Sequence, residues 1–315
     1  MRGAGIDRFG GPLRVLPRPD PRALRDDEVL IRVRAAGVGN WDDVVRTGGW
    51  ATGAAPPCAL GVEAAGVITA AGARVSGLRP GDGVLTHPLP LRQDGAWTEQ
   101  LIAPAALVAR KPAGVPWPEA AALPVPGLTA LQALTGSVQL AAGETVLVNG
   151  AGGVTGGLLV QLAALGGARV IATASLASAP RLRRAGADLV LDYHQPDWPD
   201  RAQQAAGGPL PAAVNAVPGG ATRLLPLIAD GGRLTTLTSD PPDPARQVRI
   251  DSLYVQPDAG QLGYLAQLLD RGAITLTVRA SYPLDSAAKA LAQARRGGGG
   301  AAVVLEPWAE RHLKW

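Results

Sequence analysis

Cysteine, methionine and phenylalanine each occur once in this chain of 315 residues, and lysine occurs only at positions 111, 289 and 314. The single cysteine, Cys58, excludes an intramolecular disulfide and a zinc site built on cysteines. Long apolar runs are also missing. The uncharged stretch 145–168 contains seven glycines, and prolines interrupt the uncharged stretch 120–143, whereas a spanning helix needs about 20 predominantly apolar residues. We therefore expect no disulfide, no cysteine-based metal site and no association with a membrane.

The charge pattern is basic but dispersed. The net charge is +4, and the cations are nearly all arginines scattered along the chain. A basic tract interleaved with aromatic residues, as nucleic-acid-binding surfaces have, is absent. No apolar segment follows Met1, so no signal peptide is predicted and a cytoplasmic location is expected. The composition, 47% hydrophobic and 18% charged, is typical of a globular protein, and the length predicts about two domains.

The two parts of the chain have different secondary-structure patterns. In the first 110 residues, segments 28–34, 65–68 and 82–85 read as strands separated by glycine and proline turns, with one short helical piece at 42–46. Beyond Pro118, helical and apolar segments alternate. The predicted helices are 128–140, 158–165, 179–185 and 259–271, and the predicted strands are 145–148, 169–172, 189–191, 213–215, 232–237, 275–280 and 301–305. This alternation predicts βαβ units around a parallel sheet.

The strongest local signal is a glycine-rich loop between a buried strand and a helix. Gly150, Gly153 and Gly156 are spaced three apart, which suits a tight turn, the approach of backbone N–H groups to a pyrophosphate, and close packing of the helix on its strand. The residues predicted to bind a dinucleotide here are Asn149, Gly150, Gly152, Gly153, Val154, Thr155 and Gly156. The alternative is a plain glycine-rich turn.

The end of the second predicted strand of this unit lacks an acidic residue. A site selective for NAD places Asp or Glu about 20 residues after the glycines, to hold the ribose hydroxyls. Here Ser175 stands in an acid-free segment, Arg181 follows, and Tyr193 closes the next strand. Hydroxyls and a guanidinium suit a 2′-phosphate, so the predicted cofactor is NADP(H). The alternative for each arginine is a solvated helix face.

Taken together, these motifs resemble the medium-chain dehydrogenase/reductase superfamily, and within it the zinc-free quinone oxidoreductase branch that includes ζ-crystallin. The matching segments are 37–38, 42, 46, 60–66, 81–84, 95–99, 121–124, 127–130, 186–188 and 192–193, together with the glycine loop. The resemblance implies an α/β protein with a GroES-like β-rich catalytic domain formed by residues 1–122 and 274–315. It also implies a doubly wound Rossmann domain formed by residues 123–273, and a homodimer.

Zinc-dependent relatives carry cysteine and histidine where this chain has Gly39 and Val62. The three histidines, His87, His194 and His312, stand far apart in the sequence and are expected at the surface. The sequence therefore predicts no metal.

Without zinc, the resemblance implies hydride transfer from NADPH to a quinone or an α,β-unsaturated carbonyl compound. The catalytic candidates are Asn40, Trp50 and Thr129. Asn40 stands one residue after the position where relatives often carry asparagine, Trp50 stands where they carry tyrosine, and Thr129 matches a position beside the nicotinamide. Trp97, also in place of a tyrosine, is expected to be structural. None of these is a strong acid, so the proton comes from solvent or from a residue that the sequence does not reveal.

A narrower hypothesis is an enoyl reductase that tailors a bacterial secondary metabolite. The alternative is a cofactor-binding protein of the same fold without redox turnover, such as a sensor or a cyclase- or dehydratase-type tailoring enzyme.

Overall fold

The strands form a mixed, mostly antiparallel sheet, a parallel sheet and a small three-stranded sheet. The computed structural model describes residues 1–297 and 299–309. Its strands are β1 (Arg2–Ile6), β2 (Arg14–Pro17), β3 (Glu28–Val38), β4 (Cys58–Ala59), β5 (Ala64–Ala71), β6 (Gly83–Thr86), β7 (Gln100–Pro104), β8 (Val108–Arg110), β9 (Thr145–Asn149), β10 (Arg169–Ala174), β11 (Leu189–Asp192), β12 (Leu210–Asn215), β13 (Ile228–Thr236), β14 (Arg249–Ser252), β15 (Thr277–Tyr282) and β16 (Ala301–Leu305). Its α-helices are α1 (Trp41–Thr47), α2 (Trp117–Ala121), α3 (Pro124–Gln132), α4 (Val154–Leu165), α5 (Ala179–Arg184), α6 (Trp198–Ala206), α7 (Ala221–Leu224), α8 (Ala259–Asp270) and α9 (Ala287–Arg296).

Strand β3 is the centre of the first sheet. Its buried and exposed residues alternate from Leu30 to Arg34, as expected for a strand with one covered face. The sheet runs in the order β15-β16-β3-β5-β6-β8, with β7 also paired to β3, and a small sheet β2-β1-β4 lies separately. Strands β15 and β16, from the end of the chain, thus join the sheet formed by its beginning. The proposed domain boundaries at 122/123 and 273/274 stay predictions.

The second sheet is doubly wound, as the sequence predicts. Its order is β11-β10-β9-β12-β13-β14, and each neighbouring pair is parallel. From β9 the chain forms β10 and then β11 on one side of the sheet, and it forms β12, β13 and β14 on the other side of β9. In such sheets ligands bind in the crevice at the carboxyl ends of the strands, where the order reverses. The glycine-rich loop after β9 lies at this switch point.

Several predicted elements begin or end elsewhere. The helix predicted at 158–165 begins at Val154, because the glycines of the loop continue directly into its first turn. The helix predicted at 128–140 is α3, which starts at Pro124 and gives way to a π-helical turn over Ala133–Ser137. The strand predicted at 275–280 is β15, two residues later. Among residues 1–297 and 299–309, no helix combines the length and apolar character that a membrane span requires.

The predicted surface position of His87 is wrong. Its side chain is 1% exposed, because β6 pairs with β5 inside the first sheet and His87 directly follows β6. His194, by contrast, is exposed as predicted, and His312 lies outside the described residues. Trp97 is fully buried and donates from Nε1 to the carbonyl oxygen of Gly37 at 2.9 Å, which agrees with a structural role.

Candidate active site

The glycine loop combines one tightly packed glycine with an open backbone surface. Gly150 has φ +86°, and a Cβ on Gly156 would lie 2.2 Å from the carbonyl oxygen of Gly150, so both positions require glycine. A Cβ on Gly152 or on Gly153 would have its nearest neighbouring atom 3.4 or 3.8 Å away, respectively. The N-cap residue of α4 is Gly153, which has no side chain to cap the helix. The loop therefore offers free space and uncapped backbone N–H groups where an anion could bind.

Arg181 from α5 lies directly against this loop. Its Nη2 donates to the carbonyl oxygen of Gly152 at 2.9 Å, and its Nη1 would lie 3.0 Å from a Cβ on Gly157. Burial lowers the pKa of the guanidinium, yet an arginine keeps its charge at neutral pH. The structure thus brings Arg181 to the loop, although most of its contacts there are with the backbone.

Ser175 and Tyr193 lie just beyond the carboxyl ends of neighbouring strands. Ser175 follows β10, whose last residue, Ala174, has its Cβ 3.8 Å from the place that a Cβ on Gly152 would take. Tyr193 follows β11, is half exposed, and stacks on His194 with ring centroids 4.1 Å apart. Both residues are therefore on the edge of the sheet that carries the loop. Asn149, in contrast, is buried and its side chain bonds to protein groups.

The three catalytic candidates have different surroundings. Asn40 is exposed at the start of α1 and makes no capping hydrogen bond. Thr129 on α3 donates its hydroxyl hydrogen to the carbonyl oxygen of Val125 at 2.7 Å. Trp50 is half-buried, and its ring centroid lies 6.1 Å from that of His87. Within the described part of the chain, no side-chain hydrogen bond joins Asn40 to Thr129 or Trp50.

The indole ring of Trp41 occupies the space where a side chain of residue 39 would lie. A Cβ on Gly39 would lie 2.2 Å from the indole ring of Trp41. The asparagine that relatives often carry at this position therefore has no room here. Asn40 does not replace it, since its side chain is exposed.

Two buried carboxyl groups lie beneath this segment, and neither is among the site residues that the sequence predicts. Asp42 Oδ2 accepts from the N–H of Gly39, and Glu63 Oε2 accepts from the N–H of Val125, each at 2.8 Å. Desolvation raises the pKa of Asp42 to about 8, and burial together with the nearby Asp42 raises the pKa of Glu63 well above its ordinary value. Asp42 is therefore predominantly protonated near neutral pH, and burial favours the protonated form of Glu63 as well.

His87 is a further buried group at this site that the sequence pattern does not reveal. Its Nδ1 lies 2.6 Å from the carbonyl oxygen of Val62, so Nδ1 carries the hydrogen. Its Nε2 is buried and has no hydrogen-bond partner among the described residues. Burial lowers the pKa of the imidazole. A neutral ring with a free Nε2 lone pair therefore lies beside Trp50.

Two family patterns match the chain. Residues 25–113 match the alcohol dehydrogenase GroES-like domain, and residues 185–305 match the family described as zinc-binding dehydrogenase. A mycobacterial quinone oxidoreductase of known structure is 30% identical, with a TM-score of 0.80, over 98% of this chain and 100% of that one. The chain belongs to the medium-chain dehydrogenase/reductase superfamily. Its first sheet is thus the GroES-like part of this oxidoreductase fold, and its second sheet is the Rossmann part.

Two further proteins similar to this chain are also reductases or quinone oxidoreductases. The 2-methylene-furan-3-one reductase of Solanum lycopersicum is 29% identical over 297 residues, which is 90% of this chain and 73% of that protein. A quinone oxidoreductase from Pseudomonas syringae has a TM-score of 0.86 at 27% identity, covering 97% of this chain and 99% of that one. The quinone and enone reductases among these relatives make this chain an oxidoreductase of the same superfamily.

The two positions at which zinc-dependent superfamily members are expected to bind zinc carry no zinc-ligating side chain in this protein. Gly39 and Val62 have no ligating side-chain atom, and the described residues contain no group of three His, Cys, Asp or Glu side chains able to hold a metal. The donor set thus does not fit tetrahedral zinc. The glycine loop, in contrast, fits a dinucleotide, because a Cβ on Gly152 or Gly153 would meet no atom nearer than 3.4 Å.

Proposed function

We propose that the protein is a zinc-independent, NADPH-dependent reductase that transfers a hydride to a quinone or an α,β-unsaturated carbonyl compound. The observation that carries this proposal is the open glycine loop with Arg181 bonded to Gly152 and no acidic residue in segment 173–178. The reductases among its relatives support the same chemistry.

The cofactor supplies the hydride, and the protein supplies binding and orientation. Residues 150–156 hold the pyrophosphate against the amino terminus of α4. Ser175, Arg181 and Tyr193 hold the 2′-phosphate. Arg181 has five N–H donors, of which one is used on Gly152, so others are left for a phosphate oxygen. Trp50 and Thr129 would face the reacting end of the bound cofactor, whereas the exposed side chain of Asn40 does not support a role there.

The proton that completes the reduction comes through His87. Trp50 can only donate weakly from its indole, and Thr129 gives its hydrogen to Val125. His87 is an ionisable side chain next to Trp50, and its Nε2 has no hydrogen-bond partner among the described residues. As an imidazolium it would donate from Nε2 to an oxygen that gains negative charge when hydride arrives. Because Nε2 is buried, this role requires that surrounding side chains move to let the substrate reach it.

An enoyl reductase of bacterial secondary metabolism is the narrower proposal. A polyketide synthase system protein of Streptomyces orinoci is 41% identical over 173 residues, which is 55% of this chain but only 8% of that protein. The substrate in that case is an α,β-unsaturated acyl group. We also propose a cytoplasmic homodimer that binds neither nucleic acid nor membranes.

Two measurements test the proposed function. Titration of the protein with NADPH and with NADH, followed by nicotinamide fluorescence, should show tighter binding of NADPH. Addition of a quinone or an enone should then consume NADPH in stoichiometric amounts. Failure to bind either cofactor contradicts the proposal, while binding without consumption by any acceptor favours the cofactor-binding alternative.

A further inference from the structure

Four polar side chains stand in a row at the carboxyl edge of the parallel sheet. Asn149 ends β9, Thr173 lies near the end of β10, Asn215 ends β12 and Thr236 ends β13. All four are at most 7% exposed. Buried polar groups are costly unless they are paired, so their partners show what this row does.

The row begins at the first glycine of the phosphate loop. The N–H of Gly150 donates to Thr173 Oγ1 at 3.1 Å, and the Thr173 hydroxyl donates in turn to Asn149 Oδ1 at 2.6 Å. Because Asn149 Oδ1 accepts, its amide nitrogen is left to donate, and it does so to Asn215 Oδ1 at 2.9 Å. The orientation of each group thus fixes that of the next.

The same direction continues to a carboxylate. Asn215 Nδ2 donates to Thr236 Oγ1 at 3.1 Å, and the Thr236 hydroxyl donates to Asp240 Oδ1 at 2.6 Å. Thr238 also donates to Asp240 Oδ1, at 2.5 Å. One continuous series of donors therefore runs from Gly150 to the Asp240 carboxylate, and such aligned hydrogen bonds strengthen one another in a low-dielectric interior.

The chain of hydrogen bonds also fixes a second loop, residues 216–220 after β12. The N–H of Val217 donates to Asn215 Oδ1 at 3.2 Å, and Asn215 Nδ2 donates to the Val217 carbonyl oxygen at 2.9 Å. The N–H of Gly219 donates to Asp240 Oδ2. This loop packs on the phosphate loop, since a Cβ on Gly150 would lie 2.6 Å from Val217 Cγ2. Both loops at the switch point are thus tied to one carboxylate.

We propose that Asp240 is a positioning residue of the dinucleotide site, which holds Gly150 and loop 216–220 in binding geometry through this polarised hydrogen-bond chain. The inference rests on the proposed cofactor binding. Asp240 itself lies 84 residues beyond Gly156 in the sequence, outside the glycine motif, and acts without touching the phosphates. Its effect does not depend on the 2′-phosphate, so it is the same for NADPH and NADH.

The test compares Asp240→Asn with Asp243→Asn, a neighbouring exposed acid. Amide hydrogen exchange is measured on the protein without cofactor, in peptides covering residues 149–153 and 216–220. Asp240→Asn should speed exchange in both peptides about tenfold, because the anion that ends the chain is lost. The dissociation constants of NADPH and NADH should rise together, by about five- to tenfold. Asp243→Asn should change neither.

A milder variant separates positioning from misfolding. Thr238→Val removes one donor to Asp240 and replaces Asp240→Asn in the test if that variant unfolds. It should speed amide exchange in both peptides and raise both dissociation constants, each by a smaller factor. The proposal is overturned if amide exchange in peptide 149–153 is unchanged, or if only the affinity for NADPH falls while that for NADH stays the same. If the wild-type protein binds no cofactor, the proposed function fails, and the exchange data on the free protein still decide whether Asp240 holds the two loops.

Discussion

Arg181 donates from Nη2 to the carbonyl oxygen of Gly152 across 2.9 Å. A guanidinium from α5 is thereby held at the phosphate loop. A Cβ on Gly300 would lie 2.4 Å from Arg181 Cζ, so Arg181 also occupies the corner before β16. Arg279 lies at the same corner, since a Cβ on Gly299 would lie 2.7 Å from its Nη2.

Replacement of Arg181 by alanine tests its role toward the 2′-phosphate. We expect Arg181→Ala to weaken NADPH binding by tenfold or more, because a charge-assisted hydrogen bond contributes about 1.5–3 kcal/mol. The affinity of the variant for NADH, which lacks the 2′-phosphate, should fall only a few-fold. Fluorescence titration with both cofactors measures this. Equal losses for the two would instead assign Arg181 to support of the loop alone.

The packing of Gly156 predicts a position-specific effect of added methyl groups. Gly156→Ala would bring a Cβ within 2.2 Å of the Gly150 carbonyl oxygen, so the loop must shift and cofactor affinity should fall at least tenfold. Gly136→Ala is the control outside the loop, because its Cβ would meet no atom within 4 Å, and NADPH affinity should not change in this variant. Dissociation constants for NADPH provide the comparison, and similar losses at both positions would contradict the assigned packing.

The assignment of the proton to His87 predicts a pH profile. Only the imidazolium carries a hydrogen on Nε2, and burial lowers the pKa of His87 below 6.5. At saturating NADPH, kcat/KM for the acceptor should therefore rise as the pH falls below 6.5, and His87→Phe should remove this rise. His194→Gln, which changes an exposed histidine, should keep it. Persistence of the acid limb in His87→Phe would exclude His87 as the donor.

Asp42 predicts how stability depends on pH. Desolvation raises its pKa from 3.8 to about 8 in the folded protein. Between these values the unfolded chain has lost this proton while the folded chain keeps it, so stability falls as the pH rises through this window. The free energy of unfolding of wild type relative to Asp42→Asn should decline between pH 4 and 8, by at most about 1.4 kcal/mol per pH unit.

Denaturant unfolding at several pH values measures this difference. Asp43→Asn, on the same helix and in contact with Arg46, controls for changes to α1 itself. Parallel curves for wild type and Asp42→Asn across this range would show that Asp42 ionises normally.

The phosphate loop can be predicted from sequence because its signal is local. Glycines at 150, 153 and 156 follow an apolar strand and precede a helix, and each fits one step of the turn. The same glycines hide the true start of α4, since glycine disfavours helices in isolation. Packing on β9 overrides that preference in the folded chain.

The buried ionisable groups could not be predicted because their burial depends on distant contacts. His87 meets a carbonyl oxygen 25 residues away, and Glu63 meets an N–H 62 residues away. The clue lay in Gly37 and Gly39, which leave room for Glu63 and Trp41. A glycine in a strand signals close approach, but it does not name the residue that approaches.

The most direct test of the proposed reaction is a measurement of NADPH consumption by the purified protein in the presence of quinone and enone acceptors, after removal of metals by a chelator. We expect stoichiometric oxidation of NADPH that is unchanged by the chelator and slower with NADH. Turnover that depends on added zinc, or a protein that binds NADPH and consumes none with any acceptor, would contradict the proposed reaction.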